Sequence, residues 1–217
     1  MAIFIHLINL FRGRTISISF ILRVVFNGFF GIIMPMQVRD ETEKYLPFVH
    51  KLEPETVLEI GTARGGNLFL LAQMAAPSAI IISVDLPNGK YGGGYPRWKI
   101  PLFKSFARRK QKIYLIRMDS HLKETLNLLI AILKGKSLDF LFIDGDHSYE
   151  GVKSDYRQYY PLVRKGGIAV LHDIVKHAPE FECEVDQFWH ELCQQATHLE
   201  IVKDPSQGWG GIGLIFK

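Results

Sequence analysis

Cysteine is scarce in this sequence, which has two, Cys183 and Cys193, among 217 residues. Two cysteines so placed form no disulfide framework, and their spacing matches no zinc motif. A protein with so few cysteines fits a reducing compartment, so we expect a cytoplasmic location. Both thiols are expected to be ordinary core or surface side chains.

Internal repeats and low-complexity linkers are also missing, and charges of both signs are scattered along the chain. The formal net charge is +4, and hydrophobic residues make up 47% of the chain, a composition typical of one globular domain with a large core. The densest basic stretch, residues 99–112, favours a solvated helix face. Binding of an anionic substrate or nucleic acid is the alternative, but no aromatic ladder supports it, so we expect no nucleic-acid partner.

One long apolar run, residues 16–36, is interrupted by Arg23 and Asn27. No basic segment precedes the first apolar residues of the chain and no small-residue cleavage site is evident, so the N-terminal segment does not indicate a secretory signal. Three interpretations stay open: a helix buried against the domain or a dimer partner, a peripheral membrane anchor, and a spanning helix, in which a central arginine costs about 3 kcal/mol. We assign residues 1–50 to a helical cap for dimerisation or for membrane association through residues 1–36.

From residue 53 onward, short apolar runs alternate with helical patterns. The runs predict strands within residues 55–61, 79–86, 112–119, 137–145, 167–173, 198–204 and 211–217. Helices are predicted at residues 67–76, 98–110, 122–133, from 149, and at 181–195. This order predicts an α/β domain over residues 51–217, with a doubly wound, Rossmann-like, mostly parallel seven-stranded sheet and a final antiparallel hairpin.

Acidic residues stand where five of these apolar runs stop. They are Glu59, Asp85, Asp119, Asp144 and Asp173. Because ligands bind outside the carboxyl ends of parallel strands, the register predicts that these acids share one site. Helix caps or turns would explain one or two of them but not all five.

The first turn, LEIGTARGGN, carries Gly61 and Gly65, which let the backbone turn tightly and a ligand approach it. Its spacing is neither the three-glycine dinucleotide motif nor a phosphate-binding loop, so alone it is a weak signal. Asp85 can accept both hydroxyls of a ribose. Asp119 or Ser120 can bind an adenine amine, with helix capping by Ser120 as the alternative.

Five segments together resemble a known family: VLEIGTARGG, ISVDLP, RMDS, FIDGDHSYEGVKSD and LVRKGGIAVLHD. They are similar to the class I S-adenosylmethionine-dependent methyltransferases, and most to the subgroup of catechol-type, caffeoyl-CoA-type and macrolide-sugar O-methyltransferases and the cephalosporin hydroxylase family. The resemblance covers residues 53–217. Its most specific part is DGDHSYEGV followed by KGG and a His-Asp pair.

The resemblance implies S-adenosylmethionine as the cofactor. It implies cofactor contacts at Glu59, Gly61, Thr62, Gly65, Asp85, Leu86, Asp119, Ser120 and Asp144. In metal-dependent relatives Asp144 also binds a divalent cation, Mg²⁺ or Mn²⁺, together with residues at the end of the fifth strand, here His172 and Asp173. The histidine departs from the family pattern and is softer than Mg²⁺ prefers, which puts a metal requirement in doubt.

The resemblance also assigns the chemistry to His147 and Asp144. His147 would take the proton of an acceptor hydroxyl, because its ordinary pKa lies near neutrality. The alternative is that His147 packs at a helix start capped by Ser148. Asp146 is either a third metal ligand or an exposed turn residue.

Two further features are ambiguous. The loop NGKYGGGYPRW, residues 88–98, is either a lid over the substrate or an ordinary surface loop. Trp209 is either a pocket wall or a turn aromatic. The predicted function is methyl transfer to a hydroxyl of a small molecule or sugar. A nicotinamide-dependent oxidoreductase, a non-catalytic binding module and a membrane-associated enzyme are the alternatives.

Overall fold

The computed structural model describes residues 17–27 and 31–217, in which strands alternate with helices. The strands are β1 (Thr56–Ile60), β2 (Ile80–Val84), β3 (Lys112–Ile116), β4 (Leu138–Ile143), β5 (Val163–His172), β6 (His198–Ile201) and β7 (Ile212–Phe216). The α-helices are α1 (Ile18–Asn27), α2 (Arg39–Leu52), α3 (Gly66–Met74), α4 (Ile100–Lys104), α5 (Lys123–Leu133), α6 (Tyr149–Tyr159) and α7 (Val185–Cys193).

All seven strands form one sheet in the order β3-β2-β1-β4-β5-β7-β6. Strands β1 to β5 pair in parallel, whereas β7 pairs antiparallel with both β5 and β6. The predicted doubly wound sheet with a final antiparallel hairpin is confirmed. The strand order reverses between β1 and β4, so a crevice opens there at the carboxyl ends of the strands.

Helices cover both faces of this sheet. Successive strand residues point to opposite faces, so Val57 packs with α1, α2 and α3 while its neighbour Leu58 packs with α5, α6 and α7. Every residue of β1 is buried, as expected for a strand covered on both sides. Because both faces of the strand are buried, its sequence does not alternate between apolar and polar residues.

Helix α1 lies within the apolar N-terminal run. It buries Ile21, Leu22 and Val25 in the core that α2 and α3 share. Residues 1–16 and 28–30 lie outside the described residues, so the prediction for the whole N-terminal segment stays a prediction. Within the described ranges, no helix is both long and apolar enough to cross a membrane.

Helix α2 spans the boundary predicted at residue 50 and buries Tyr45, Leu46 and Val49 beside α3. The segment before it also packs closely, since a Cβ added at Gly66 would lie 2.0 Å from the backbone nitrogen of Pro35. Residues 31–38 therefore run across the start of α3 on their way to α2.

The helix predicted at residues 98–110 is much shorter than expected. A 3₁₀ turn (Arg97–Lys99) leads into α4, which ends at Lys104. The Ser105 hydroxyl donates to the carbonyl of Leu102, 2.6 Å away, and the side chain of Gln111 donates to the carbonyls of Ala72, Ala75 and Ala76. The contacts of Gln111 with the end of α3 override the local helical pattern. Helix α7 is likewise shorter than the predicted 181–195, because a separate 3₁₀ turn occupies Pro179–Phe181.

Candidate active site

A cleft of about 330 Å³ opens at the carboxyl ends of the central strands. Six predicted site residues line it: Gly61, Asp85, Leu86, Asp119, Ser120 and Asp144. Its size lies within the range of small-molecule sites. Of the five acids at the strand ends, Asp85, Asp119 and Asp144 line the cleft, whereas Glu59 and Asp173 do not, so the register of the strands brings three of the five to the cleft.

Gly61 joins the first turn to the end of β4. Its φ is +90°, and its amide donates to the carbonyl of Val84 over 2.8 Å. A Cβ at this position would lie 1.8 Å from the carbonyl oxygen of Asp144. Only glycine fits both the backbone conformation and the close approach.

Glu59, Thr62 and Gly65 do not line the cleft. Glu59 is fully buried, and its carboxylate accepts hydrogen bonds from Ser83 (2.9 Å) and Asn67 (3.1 Å). The Thr62 hydroxyl is hydrogen-bonded to that of Ser83. These hydrogen bonds connect the first turn to Ser83 in β2 and Asn67 in α3, so they suit a role in supporting its backbone.

Gly65 is the N-cap of α3, with φ of +78°, and its missing Cβ leaves room for the ring of Phe103. Like Glu59 and Thr62, Gly65 therefore contacts other parts of the protein and does not line the cleft. A direct cofactor contact by these three residues stays a prediction.

Burial raises the pKa of Glu59 to about 8, although hydrogen bonds from Ser83 and Asn67 oppose the shift. The folded protein therefore holds this proton more tightly than the unfolded chain, in which a glutamate has a pKa of about 4.3. The stability that this proton contributes is full below about pH 4 and is lost as the pH rises towards 8.

We expect Glu59→Gln to remove the loss of folding stability between about pH 4 and pH 8, because the glutamine does not ionise. Its amide can still accept a hydrogen bond from Asn67 and donate one to Ser83. At about pH 8 the variant should be more stable than the wild type by a few kcal/mol, since each pKa unit corresponds to about 1.4 kcal/mol. Urea denaturation from about pH 5 to 8 measures this, with exposed Glu43→Gln as the control. Parallel pH curves for wild type and Glu59→Gln would contradict it.

Asp85 enters the cleft from the end of β2. It is 3% exposed, and its carboxylate accepts the amide of Gly94 over 3.0 Å. Burial raises its pKa to about 6, against the lowering effect of backbone amides and of Arg117. The carboxylate of Asp85 is therefore buried beside backbone amides, in a position that suits it to accept hydrogen bonds from hydroxyl groups.

Asp119 and Ser120 lie after the end of β3. The carboxylate of Asp119 accepts the amide of His121 over 2.9 Å, and the Ser120 carbonyl accepts the hydroxyl of Tyr159 over 2.6 Å. The N-cap position of α5 is held by Leu122, and no side chain caps this helix. The alternative in which Ser120 caps the helix is therefore excluded. His121 also lines the cleft, a position that the sequence motifs did not identify.

Asp144, His147, His172 and Asp173 form an acid–imidazole cluster at the ends of β4 and β5. His172 Nδ1 lies 3.0 Å from Asp144 Oδ1 and 3.2 Å from Asp173 Oδ2. His147 lies between the same acids, with Nε2 3.4 Å from Asp144 Oδ1 and Nδ1 3.4 Å from Asp173 Oδ2. Both nitrogens of His147 thus face a carboxylate.

The charges of this cluster support one another. Burial alone would raise the pKa of Asp144 and lower that of His172, but their mutual attraction reverses both shifts. For His147, burial is likewise outweighed by hydrogen bonds to Asp144 and Cys183, which raise its pKa to about 10. The carboxylates that face both ring nitrogens therefore stabilise the protonated form of His147.

Several residues outside the predicted site contact this cluster, among them His177, whose Nε2 lies 3.3 Å from Asp173 Oδ1. Gln37, just before α2, donates from Nε2 to Asp144 Oδ2 over 2.6 Å. Tyr91, in the glycine-rich loop, stacks on the ring of His147 with centroids 4.9 Å apart. Tyr91 lines the cleft and His147 does not, so the ring of Tyr91 lies between His147 and the cleft. No local motif marks Gln37.

The glycine-rich loop forms one wall of the cleft through Gly89, Lys90, Tyr91 and Gly93. This position favours the lid interpretation of residues 88–98. Trp209 does not line the cleft and is 44% exposed.

The start of α6 shows the predicted cap. The Ser148 hydroxyl accepts the amide of Gly151 over 3.1 Å. Asp146 Oδ1 accepts the amide and the hydroxyl of Ser148, as expected for a turn residue.

The cluster fits a divalent cation. Asp144, His172 and Asp173 each offer a ligand atom, and these atoms lie within 4.8 Å of one another. Nε2 of His172 is buried and has no hydrogen-bond partner. Two carboxylates and one imidazole suit Mn²⁺ better than Mg²⁺, which prefers oxygen ligands alone.

Comparison with known proteins agrees with this architecture. Residues 58–174, more than half of the chain, match the family described as a methyltransferase domain. An uncharacterised protein of Sinorhizobium fredii is 27% identical over 171 residues, which are 77% of this chain and 18% of that protein. An uncharacterised protein of Acanthamoeba polyphaga mimivirus is 33% identical over 118 residues, which are 54% of this chain and 51% of that protein. The chain thus spans about a fifth of one relative and about half of the other.

Solved O-methyltransferases share the fold. The enzyme from Bacillus cereus in complex with S-adenosylhomocysteine has a TM-score of 0.57 at 15% identity, with 99% of this chain and 90% of that chain covered. TomG from Streptomyces achromogenes in complex with S-adenosylmethionine has a TM-score of 0.56 at 14% identity, with 100% and 96% covered. MycE, in complex with Mg, S-adenosylhomocysteine and mycinamycin VI, has a TM-score of 0.55 at 19% identity, with 81% and 49% covered. The chain therefore belongs to the methyltransferase domain family, and its fold is that of the class I S-adenosylmethionine-dependent methyltransferases.

Proposed function

We propose that the protein transfers a methyl group from S-adenosylmethionine to a hydroxyl of a small molecule or sugar. One observation carries this proposal: Gly61, Asp85 and Asp144 converge on a single cleft, with His147 beside Asp144. The family match and the ligands of the structural relatives support it. S-adenosylmethionine, when bound, supplies an electrophilic methyl group.

The cofactor would lie along the cleft. The carboxylate of Asp85, held by the Gly94 amide, would accept the ribose hydroxyls. Asp119 and Ser120, at the end of β3, would border the adenine. The bare backbone of Gly61 would let the remaining part of the cofactor approach the end of β4.

Asp144 and His147 would act at the acceptor hydroxyl. Asp173 would orient the imidazole through its 3.4 Å contact with Nδ1, and Nε2 of the neutral form of His147, which faces Asp144, would take the hydroxyl proton as general base. The ring of Tyr91, which stacks on His147, would have to move away before an acceptor could lie beside the imidazole. The glycines around Tyr91 allow that movement, which is why we propose a lid function for residues 88–98.

Asp144, His172 and Asp173 would hold a divalent cation, Mn²⁺ or Mg²⁺. Such a cation lowers the pKa of a bound hydroxyl and competes with His147 for the carboxylate charge. Gln37, which donates to Asp144 Oδ2, would fix the orientation of this carboxylate. The metal requirement and the identity of the acceptor are part of the proposal.

Replacing Asp85 with alanine tests the cofactor site. We expect S-adenosylhomocysteine to bind the wild type and to bind the variant about 10- to 100-fold more weakly, because a charge-assisted hydrogen bond contributes about 1.5–3 kcal/mol. Isothermal titration calorimetry, with and without Mn²⁺, measures the affinity. The control is Asp40→Ala, which removes an exposed carboxylate on α2. The assignment of Asp85 to the cofactor site would be refuted if S-adenosylhomocysteine did not bind the wild type, or if it bound Asp85→Ala and Asp40→Ala equally well.

A further inference from the structure

A thiol adjoins the acid–imidazole cluster. His147, Asp173 and Cys183 each offer one ligand atom, and these atoms lie within 4.8 Å of one another. Asp173 is buried, whereas His147 and Cys183 are half-buried. This group has His147 and Cys183 in place of Asp144 and His172, and it shares Asp173 with the group proposed for Mn²⁺ or Mg²⁺.

The fold holds the thiol beside the imidazole. Glu184, the residue after Cys183, donates its amide to the carbonyl of His147 over 2.8 Å. Its carboxylate accepts the amide of Tyr149 over 3.1 Å. These two contacts attach the segment that carries Cys183 to the start of α6, so that bringing the donors together costs little further ordering.

The carboxylate of Asp173 is also held. Oδ1 accepts the amide of Gly210 over 3.1 Å and lies 3.3 Å from Nε2 of His177, whereas Oδ2 faces His147 and His172. Asp173 has a φ of +65°, a conformation that a residue other than glycine adopts only where its surroundings impose it. A backbone constrained in this way fixes the position of one donor.

Thiolate, imidazole and carboxylate are the three side-chain ligands of Zn²⁺, and three protein ligands with one open position are typical of accessible zinc sites. Mg²⁺ and Ca²⁺ avoid thiolate. We propose that His147, Asp173 and Cys183 bind Zn²⁺ in a site with an open fourth position. Because His147 is also the proposed base, bound zinc would inhibit methyl transfer; this consequence rests on the proposed function, whereas zinc binding itself does not.

Cobalt substitution tests the site, because Co²⁺ takes the place of Zn²⁺ and a cobalt–thiolate bond gives a charge-transfer absorption in the near ultraviolet. We expect this absorption when Co²⁺ is added to reduced, untagged, metal-free full-length protein, and its loss when Zn²⁺ is added. Cys183→Ser should abolish it, whereas Cys193→Ser should retain it. Cys193 is the other cysteine of the chain, and its thiol lies 3.9 Å from Glu200 Oε1.

Zinc affinity gives a second measurement. In competition with a chromogenic chelator, Cys183→Ser should bind Zn²⁺ at least about tenfold more weakly than the wild type, since even the loss of an outer-shell partner costs about 10- to 100-fold. Thermal unfolding confirms that both variants are folded. No cobalt–thiolate absorption in the wild type, or equal loss in both cysteine variants, overturns the proposal. Calorimetry with S-adenosylhomocysteine is independent of these results, so either proposal can fail alone.

Discussion

Replacing His147 with alanine is expected to lower kcat by about 10²- to 10⁴-fold, the usual contribution of a positioned general base. The imidazole lies 3.4 Å from Asp144, which lines the cleft, and the substitution removes the ring that we propose as the base. The affinity for S-adenosylhomocysteine should change little, because His147 does not line the cleft. The expected pattern is thus a large loss of turnover with an intact cofactor site.

Turnover can be measured with S-adenosylmethionine labelled in the methyl group and a panel of catechol, sugar and other hydroxyl acceptors. The comparison uses whichever acceptor the wild type methylates. The control is His50→Ala, which removes an exposed histidine in the last turn of α2. Turnover of His147→Ala within a few-fold of the wild type would exclude this residue as the base.

Replacing Gly61 with alanine is expected to lower the free energy of unfolding by about 4 kcal/mol or more, which is exceptional for one methyl group. The added Cβ would lie 1.8 Å from the carbonyl oxygen of Asp144, so the ends of β1 and β4 must separate. Such a separation also disturbs the cleft, and binding of S-adenosylhomocysteine should be lost in the part of the protein that still folds.

Gly135 provides a matched control for this substitution. Its φ is +83°, close to the +90° of Gly61, but a Cβ there meets no atom within 4 Å. Gly135→Ala should therefore cost only the backbone strain, about 1–2 kcal/mol. Urea denaturation of both variants separates strain from steric overlap. Equal losses would show that the close approach at Gly61 carries no energetic weight.

The sheet and the position of the cleft could be predicted from the sequence. Apolar runs that end in acids, separated by helical patterns, determine parallel strands with acids at one edge, because parallel strands share a direction. Asp85 and Asp144 directly follow β2 and β4, as this reasoning requires. The assignment to the methyltransferase family rested on longer motifs, and the family match over residues 58–174 confirms that assignment.

Helix lengths were predicted less well, because contacts distant in sequence decide where a helix ends. Gln111 satisfies three carbonyls at the end of α3, which draws the chain after Lys104 away from a helical path. The pattern of residues 98–110 contains no sign of this contact. Tertiary hydrogen bonds outweigh the small free-energy differences between local conformations.

The sequence by itself determined the fold class, the acids at the strand ends and the place of His147 after Asp144, since these depend on local spacing and period. Only the tertiary structure decided what surrounds them. Gln37 reaches Asp144 across 107 positions of chain, and Cys183 reaches His147 through a segment attached to the start of α6. Neither contact leaves a local pattern, because packing of separate elements, and not the periodicity of one element, brings these side chains together.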